Sequence, residues 1–150
     1  MNSNFGDVRN MAFTRRKMLI LGSASFATAA LAGLPAFASL TDDAIMAITG
    51  GAETSDAGIT LTAPEIAENG NTVPVEVSAP GATSIALFAS GNPTPAVATF
   101  NFGPLAGSQT GATRIRLAKT QDVVAIATMP DGSFLRASVT VKVTIGGCGG

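Results

Sequence analysis

From Ile59 to Ile145 apolar side chains recur at every second position in short runs, and nearly every run ends at a glycine, proline or asparagine. Successive residues of an extended strand point to opposite faces, so this alternation describes strands with one buried face and one wet face. Val73, Val75 and Val77 alternate with Pro74, Glu76 and Ser78. Ile115 and Leu117 point inward when Arg114 and Arg116 point outward, and Val139, Val141, Val143 and Ile145 share one face. Further runs read Ile59–Thr62, Ser84–Ala89, Ala96–Phe102 and Val123–Met129, the last nearly continuous as a central strand would be. Glu68-Asn69-Gly70-Asn71, Gly91-Asn92-Pro93 and Pro130-Asp131-Gly132 supply turns, because these residue types accept turn dihedrals. Pro74 has no amide hydrogen, which places it at an edge or at the start of a strand.

About seven such strands in one stretch predict an all-β fold, an immunoglobulin-like antiparallel β-sandwich. The inter-sheet disulfide and core tryptophan of antibody domains are absent, since the chain has one cysteine and no tryptophan. Ahead of the strands, Leu40-Thr41-Asp42-Asp43 reads as a helix start. Thr41 would cap free amides, the aspartates would suit the positive end of the dipole, and Leu40 would staple onto Ile45. Gly50-Gly51 would end this short helix, which would dock through Ile45 and Ile48.

The first 38 residues read as an export signal. Arg15-Arg16-Lys17 precede an apolar run from Met18 to Leu34, and Ala36-Phe37-Ala38 offers the small-x-small pattern of a signal peptidase site. The pair Arg15 and Arg16, with Met18-Leu19 after them and Gly22, Ser23, Ser25 and Thr28 diluting the run, points to the twin-arginine route and the periplasm. The run is at the short limit for spanning a bilayer, so no membrane anchor is expected after cleavage. Three parts follow: residues 1–38 as signal, 39–145 as the sandwich with its short helix, and 146–150 as a flexible tail.

Composition excludes several activities. Hydrophobic residues at 46% against 13% charged are enough for a packed core. Without histidine there is no Ser-His or Cys-His nucleophile pair and no histidine-ligated metal. One cysteine cannot build an intrachain disulfide, a thiolate zinc site or an iron–sulfur cluster. No cofactor is therefore expected, and no metal. No phosphate loop or dinucleotide fingerprint occurs. Residues 39–150 carry nine carboxylates against Arg114, Arg116, Lys119, Arg136 and Lys142, a net −4 that suits no nucleic-acid partner. Glu65 and Glu68 flank a turn and form no acid–base pair. Arg114 and Arg116 are either a solvated face or a contact for an acidic partner or an anionic adduct on the tail.

The remaining chemistry lies in IGGCGG. Cys148 stands between Gly146-Gly147 and Gly149-Gly150, the segment of widest backbone freedom. The steps from Ile145 to Cys148 span about 10 Å when extended, and flanking glycines keep the approach slim. Neither histidine nor arginine stands near the thiol in sequence, and a neighbouring carboxylate would disfavour the thiolate. Such a thiol suits transport to other active sites better than chemistry of its own. An exported structural module whose cysteine forms an intermolecular disulfide is the alternative. A lipid or crosslink site, or a terminal Gly-Gly acting alone, are further readings.

KVTIGGCGG resembles the C-terminus of the SoxY family, sulfur-carrier subunits of the bacterial Sox thiosulfate-oxidising system, and the resemblance continues through PEIAENGNTVPVEV, GNPTPAVATFNF and TRIRLAKTQDVVAIATMPDGS. The resemblance implies a covalent carrier, not an enzyme, with Cys148 as the sulfur attachment point. A haem enzyme would conjugate thiosulfate to Cys148 as a cysteine S-thiosulfonate. A hydrolase would release sulfate, and a sulfane dehydrogenase would oxidise the sulfur left behind. It also implies a heterodimer with SoxZ, a second β-sandwich that would be exported as a passenger.

Overall fold

The structure, a computed structural model, describes residues 36–144, with side chains from Leu40 onward. These residues belong to the unit Pro35–Gly150. Among the described residues one helix, α1 (Ala36–Thr49), precedes nine strands: β1 (Thr54–Ser55), β2 (Thr60–Thr62), β3 (Ile66–Ala67), β4 (Val73–Ser78), β5 (Ser84–Ala89), β6 (Ala96–Asn101), β7 (Thr110–Ile115), β8 (Gln121–Thr128) and β9 (Phe134–Val143).

Two sheets face each other, as the alternation predicts. The larger runs β1-β9-β8-β5-β6, with β3 also paired to β9, and the smaller runs β2-β4-β7. Ile85, Leu87, Ala89, Val123, Ala125, Ala127 and Val141 project inward from the large sheet. They meet Val73, Val75, Val77 and Ile115 of the small sheet, and Leu117 beyond it. The alternate positions of β5 and β8, namely Ala86, Phe88, Val124 and Ile126, are also buried, because Ile45 of α1 covers that outer face. Burial on both faces is the reason these two strands read as unbroken apolar runs.

Helix α1 differs from the sequence expectation in two ways. It already runs through Ala36–Ser39, so Thr41 lies inside it, 3% exposed, and does not cap its start. Its inward stripe is Thr41, Ile45 and Thr49 at four-residue spacing, while Ile48 is 41% exposed and does not dock. The expected stop holds: Gly50 and Gly51 take φ of 63° and 82°, and the Gly50 amide donates to the Met46 carbonyl.

All seven expected strands are present, and β1 and β3 are additions. Each has two residues and runs parallel to β9, at Phe134–Leu135 and at Lys142–Val143 respectively. They cover the two ends of an otherwise bare edge. The strand expected at Thr113–Ala118 lies three residues earlier, at Thr110–Ile115. Pro74 faces Arg114 on β7, and the pairing of β2 with β4 stops at Thr62 opposite Glu76, so no ladder partner is missing on that side.

Gly111 shows why a glycine sits inside a strand. A Cβ there would lie 2.7 Å from the ring of Phe100. Phe100 is on β6, the edge of the large sheet, and Gly111 on β7, the edge of the small one. The ring laid on bare backbone closes that side of the sandwich.

Candidate functional site

The paired arginines Arg15 and Arg16, the cleavage site and the carrier segment Gly146, Gly147, Cys148, Gly149 and Gly150 all lie outside the described residues. The described site is the surface from which that segment departs.

Strand β9 carries the chain there under restraint from both sides. The Lys142 amide donates to the Glu65 carbonyl at 2.9 Å and the Thr144 amide to the Ala67 carbonyl at 3.1 Å. From the other side, the Val143 amide donates to the Thr120 hydroxyl at 3.0 Å. The root of the carrier segment is thus fixed at Thr144 by backbone bonds to β3 and by the residue ahead of β8.

The same end of the sandwich holds a buried amide network. Asn92, 9% exposed, sits in the turn between β5 and β6. Its Nδ2 donates to the Arg116 carbonyl at 2.7 Å. Its Oδ1 accepts from the Ala118 amide and from Gln121 Nε2, each at 3.0 Å. Gln121 Nε2 also donates to the Lys119 carbonyl at 3.1 Å, and Gln121 Oε1 accepts from the Gly91 amide at 2.6 Å. Two side-chain amides thereby knot the 91–92 turn to the 116–121 crossing between sheets. The chain passes close at Gly91, where a Cβ would lie 2.9 Å from Lys119 Cε and 3.0 Å from Gln121 Cβ. Among the described residues no buried side-chain nitrogen or oxygen lacks a partner.

Arg114 and Arg116, adjacent on one face in the sequence reading, enter different cavities. Arg114 joins Pro64, Pro74, Glu76 and Ala112 around a shallow groove of about 630 Å³ on the outer face of the small sheet. Arg116, past the end of β7, lines a smaller cleft of about 340 Å³ with Asn92, Pro93, Thr94 and Ala118. The second cleft is at the Thr144 end. Sequence reasoning missed Asn92 and Gln121: Gly91-Asn92-Pro93 reads as an ordinary turn, and nothing local announces that Asn92 is buried. At the opposite end the Asp131 carboxylate accepts from the Ser133 hydroxyl and amide, which holds it below its ordinary value.

The two-sheet sandwich defines a class of fold shared with other proteins. A superoxide reductase (neelaredoxin) from Ignicoccus hospitalis matches at TM-score 0.51 and 21% identity, over 57% of this chain and 79% of that one. A putative superoxide reductase from Thermotoga maritima matches at 0.50 and 18%, over 58% and 86%. At such identities the likeness is one of fold alone. A sulfur carrier protein SoxY from Chlorobium limicola f thiosulfatophilum matches at TM-score 0.63 and 41% identity, over 71% of this chain and 94% of that one. The sequence profile described as "Sulfur oxidation protein SoxY" matches residues 45–148. The chain belongs to the SoxY family of sulfur oxidation proteins. Curated protein sequences return no match.

Proposed function

We propose that this protein is a periplasmic sulfur carrier that holds thiosulfate-derived intermediates on Cys148 while partner enzymes act on them. The observation that carries this reading is that the SoxY family match extends through Cys148, the chain's one cysteine. The anchoring of β9 supports it, since a carrier needs a fixed root and a reach. Gly146 and Gly147 serve as hinge, and Gly149 and Gly150 keep the far side slim enough for a narrow cleft.

The chemistry assigns the bond-making to partners. A haem enzyme joins the sulfane sulfur of thiosulfate to Cys148 Sγ, taking up the electron pair as the thiol loses its proton. Hydrolysis by a second partner adds water across the bond to the sulfonate, releasing sulfate and leaving a persulfide. A sulfane dehydrogenase oxidises that outer sulfur to a sulfonate with oxygen from water, and a further hydrolysis restores the thiol. Throughout, Cys148 Sγ keeps the cargo attached. A SoxZ-like β-sandwich is the stable partner, and its passage as a folded passenger accounts for a twin-arginine signal at Arg15 and Arg16.

The test is intact mass after incubation with thiosulfate and the pathway enzymes. The expected result is a thiosulfonate addition on the C-terminal peptide, removed by reductant and absent from Cys148→Ser. A homodimer linked through Cys148, with no sulfur additions, would replace this reading with a structural one.

A further inference from the structure

The turn between β3 and β4, Glu68-Asn69-Gly70-Asn71, holds the chain's one Asn-Gly pair. Just ahead of it the Ala67 carbonyl accepts from the Thr144 amide at 3.1 Å, and within it the Gly70 carbonyl accepts from the Leu117 amide at 2.7 Å. Ala67 and Gly70 are buried, whereas Glu68, Asn69 and Asn71 are exposed. A water-exposed bend thus spans two inward anchor bonds. One goes to the end of β9, the other to the segment after β7.

An asparagine side chain is open to attack by the backbone nitrogen of the residue after it, which closes a five-membered ring. Glycine in that next position lacks the Cβ that would hinder the approach. Asn71 and Asn101 precede the bulkier Thr72 and Phe102, and Asn92 precedes Pro93, which has no amide hydrogen to give up. At Asn69 the turn itself assists. The Asn71 amide donates to Asn69 Oδ1 at 2.9 Å, which keeps the side chain folded back over the following peptide. The same bond polarises the side-chain carbonyl and stabilises the negative charge that attack at Cγ places on Oδ1. Among the described residues the Gly70 amide donates to no backbone carbonyl, so no such bond holds its proton.

We propose that Asn69 is a site of spontaneous covalent modification. The Gly70 nitrogen loses its proton and bonds to Asn69 Cγ, ammonia leaves, and water opens the resulting succinimide to aspartate or isoaspartate. The sequence consumes one water, releases one ammonia and changes no oxidation state. Isoaspartate routes the main chain through the side-chain methylene, between the Ala67 and Gly70 anchors. A longer path between two fixed points cannot keep both bonds in register, and either product sets a new carboxylate beside Glu68. The modified turn relaxes its hold on Thr144 or on Leu117. The grip of β3 on the end of β9 therefore ages with the protein, whatever cargo Cys148 carries.

The test keeps the full chain folded for days at neutral and at mildly alkaline pH, then maps its peptides by mass spectrometry and labels isoaspartate with its methyltransferase. Asn69 should exchange its amino group for a hydroxyl ahead of Asn71 and Asn101. Conversion should be faster at the higher pH, because the attacking amide must be deprotonated. It should be absent from Asn69→Gln, whose ring would need a sixth member. In the separated isoaspartate form, amide hydrogen exchange at Thr144 or Leu117 should be about two- to tenfold faster, the worth of one backbone hydrogen bond, with β5 unchanged. A folded chain that stays unmodified while the same chain in urea converts overturns the site, since the turn then protects the pair. Conversion with unaltered exchange at both Thr144 and Leu117 overturns the loosening.

Discussion

The two ends of the sandwich are closed by different means. At the end where Thr144 leaves β9, buried amides do the work. Asn92 and Gln121 tie together segments more than twenty residues apart, without exposure to water. At the other end the side-chain bonds are exposed, as in the Asp131–Ser133 turn and the contact of Gln109 Oε1 with the Gly81 amide. Leu105 stands there 97% exposed in the loop after β6. Apolar contact, the Phe100 ring on Gly111, supplies the closure instead. The lesson is one of tolerance. A ring on a glycine can slide by a fraction of an ångström, but an amide bonded to two backbone groups and a second side-chain amide cannot. The end at which β9 leads to Thr144 is the one whose geometry is fixed.

Substitutions at the two ends test that contrast. The largest effect is expected from Asn92→Leu, which leaves the Arg116 carbonyl and the Ala118 amide without their partner and takes from Gln121 Nε2 one of its two acceptors. A loss of about 3–4 kcal/mol in urea unfolding is expected from stranded buried groups. A loss under 1 kcal/mol would show that the knot is not what holds this end. Gly111→Val at the far end should cost about 2 kcal/mol by overpacking, softened because Phe100 is only half-buried and can swing away. A cost above that of Asn92→Leu would invert the comparison. Gly147→Val should leave the unfolding midpoint unchanged and slow turnover with the partner enzymes. An unaltered turnover would mean that slimness of the segment is irrelevant. The smallest effect belongs to Asp131→Ala. The Asp131 carboxylate is held below its ordinary value by Ser133, so its contribution is present above that value and lost as pH falls through the lowered one. Wild type and Asp131→Ala should differ slightly at neutral pH and converge in acid, and a gap that widens in acid would contradict the sign.

Much of this was legible in the sequence because alternation is a direct image of the pleat. Val73, Val75 and Val77, or Ile115 and Leu117, can face only one way once one of them is buried. The sandwich and the exclusion of histidine chemistry needed nothing more. What escaped has physical reasons. Strands β1 and β3 are two residues long, too short for a period, and exist because β9 offers them an edge. Strand β7 starts three residues before its apolar positions do, because Gly111 is a strand residue for the sake of a ring from another sheet. In α1 the buried stripe includes Thr41 and Thr49, polar residues that composition assigns to a cap or to solvent. The amide knot was hidden for the same kind of reason: its members are ordinary turn residues, and only their meeting across the fold gives them a role. Cys148 needed no fold to be noticed, being alone of its kind.

Strand β9 is gripped on one side by β8 from Phe134 to Val141 and on the other by β1 and β3 near its two ends. A tug transmitted from Cys148 would run along that strand. It would load the ladders in shear, many bonds at once, where a pull across them would unzip the sheet one rung after another. On the proposed carrier reading, a partner that draws on Cys148 would thus meet a handle with little mechanical give.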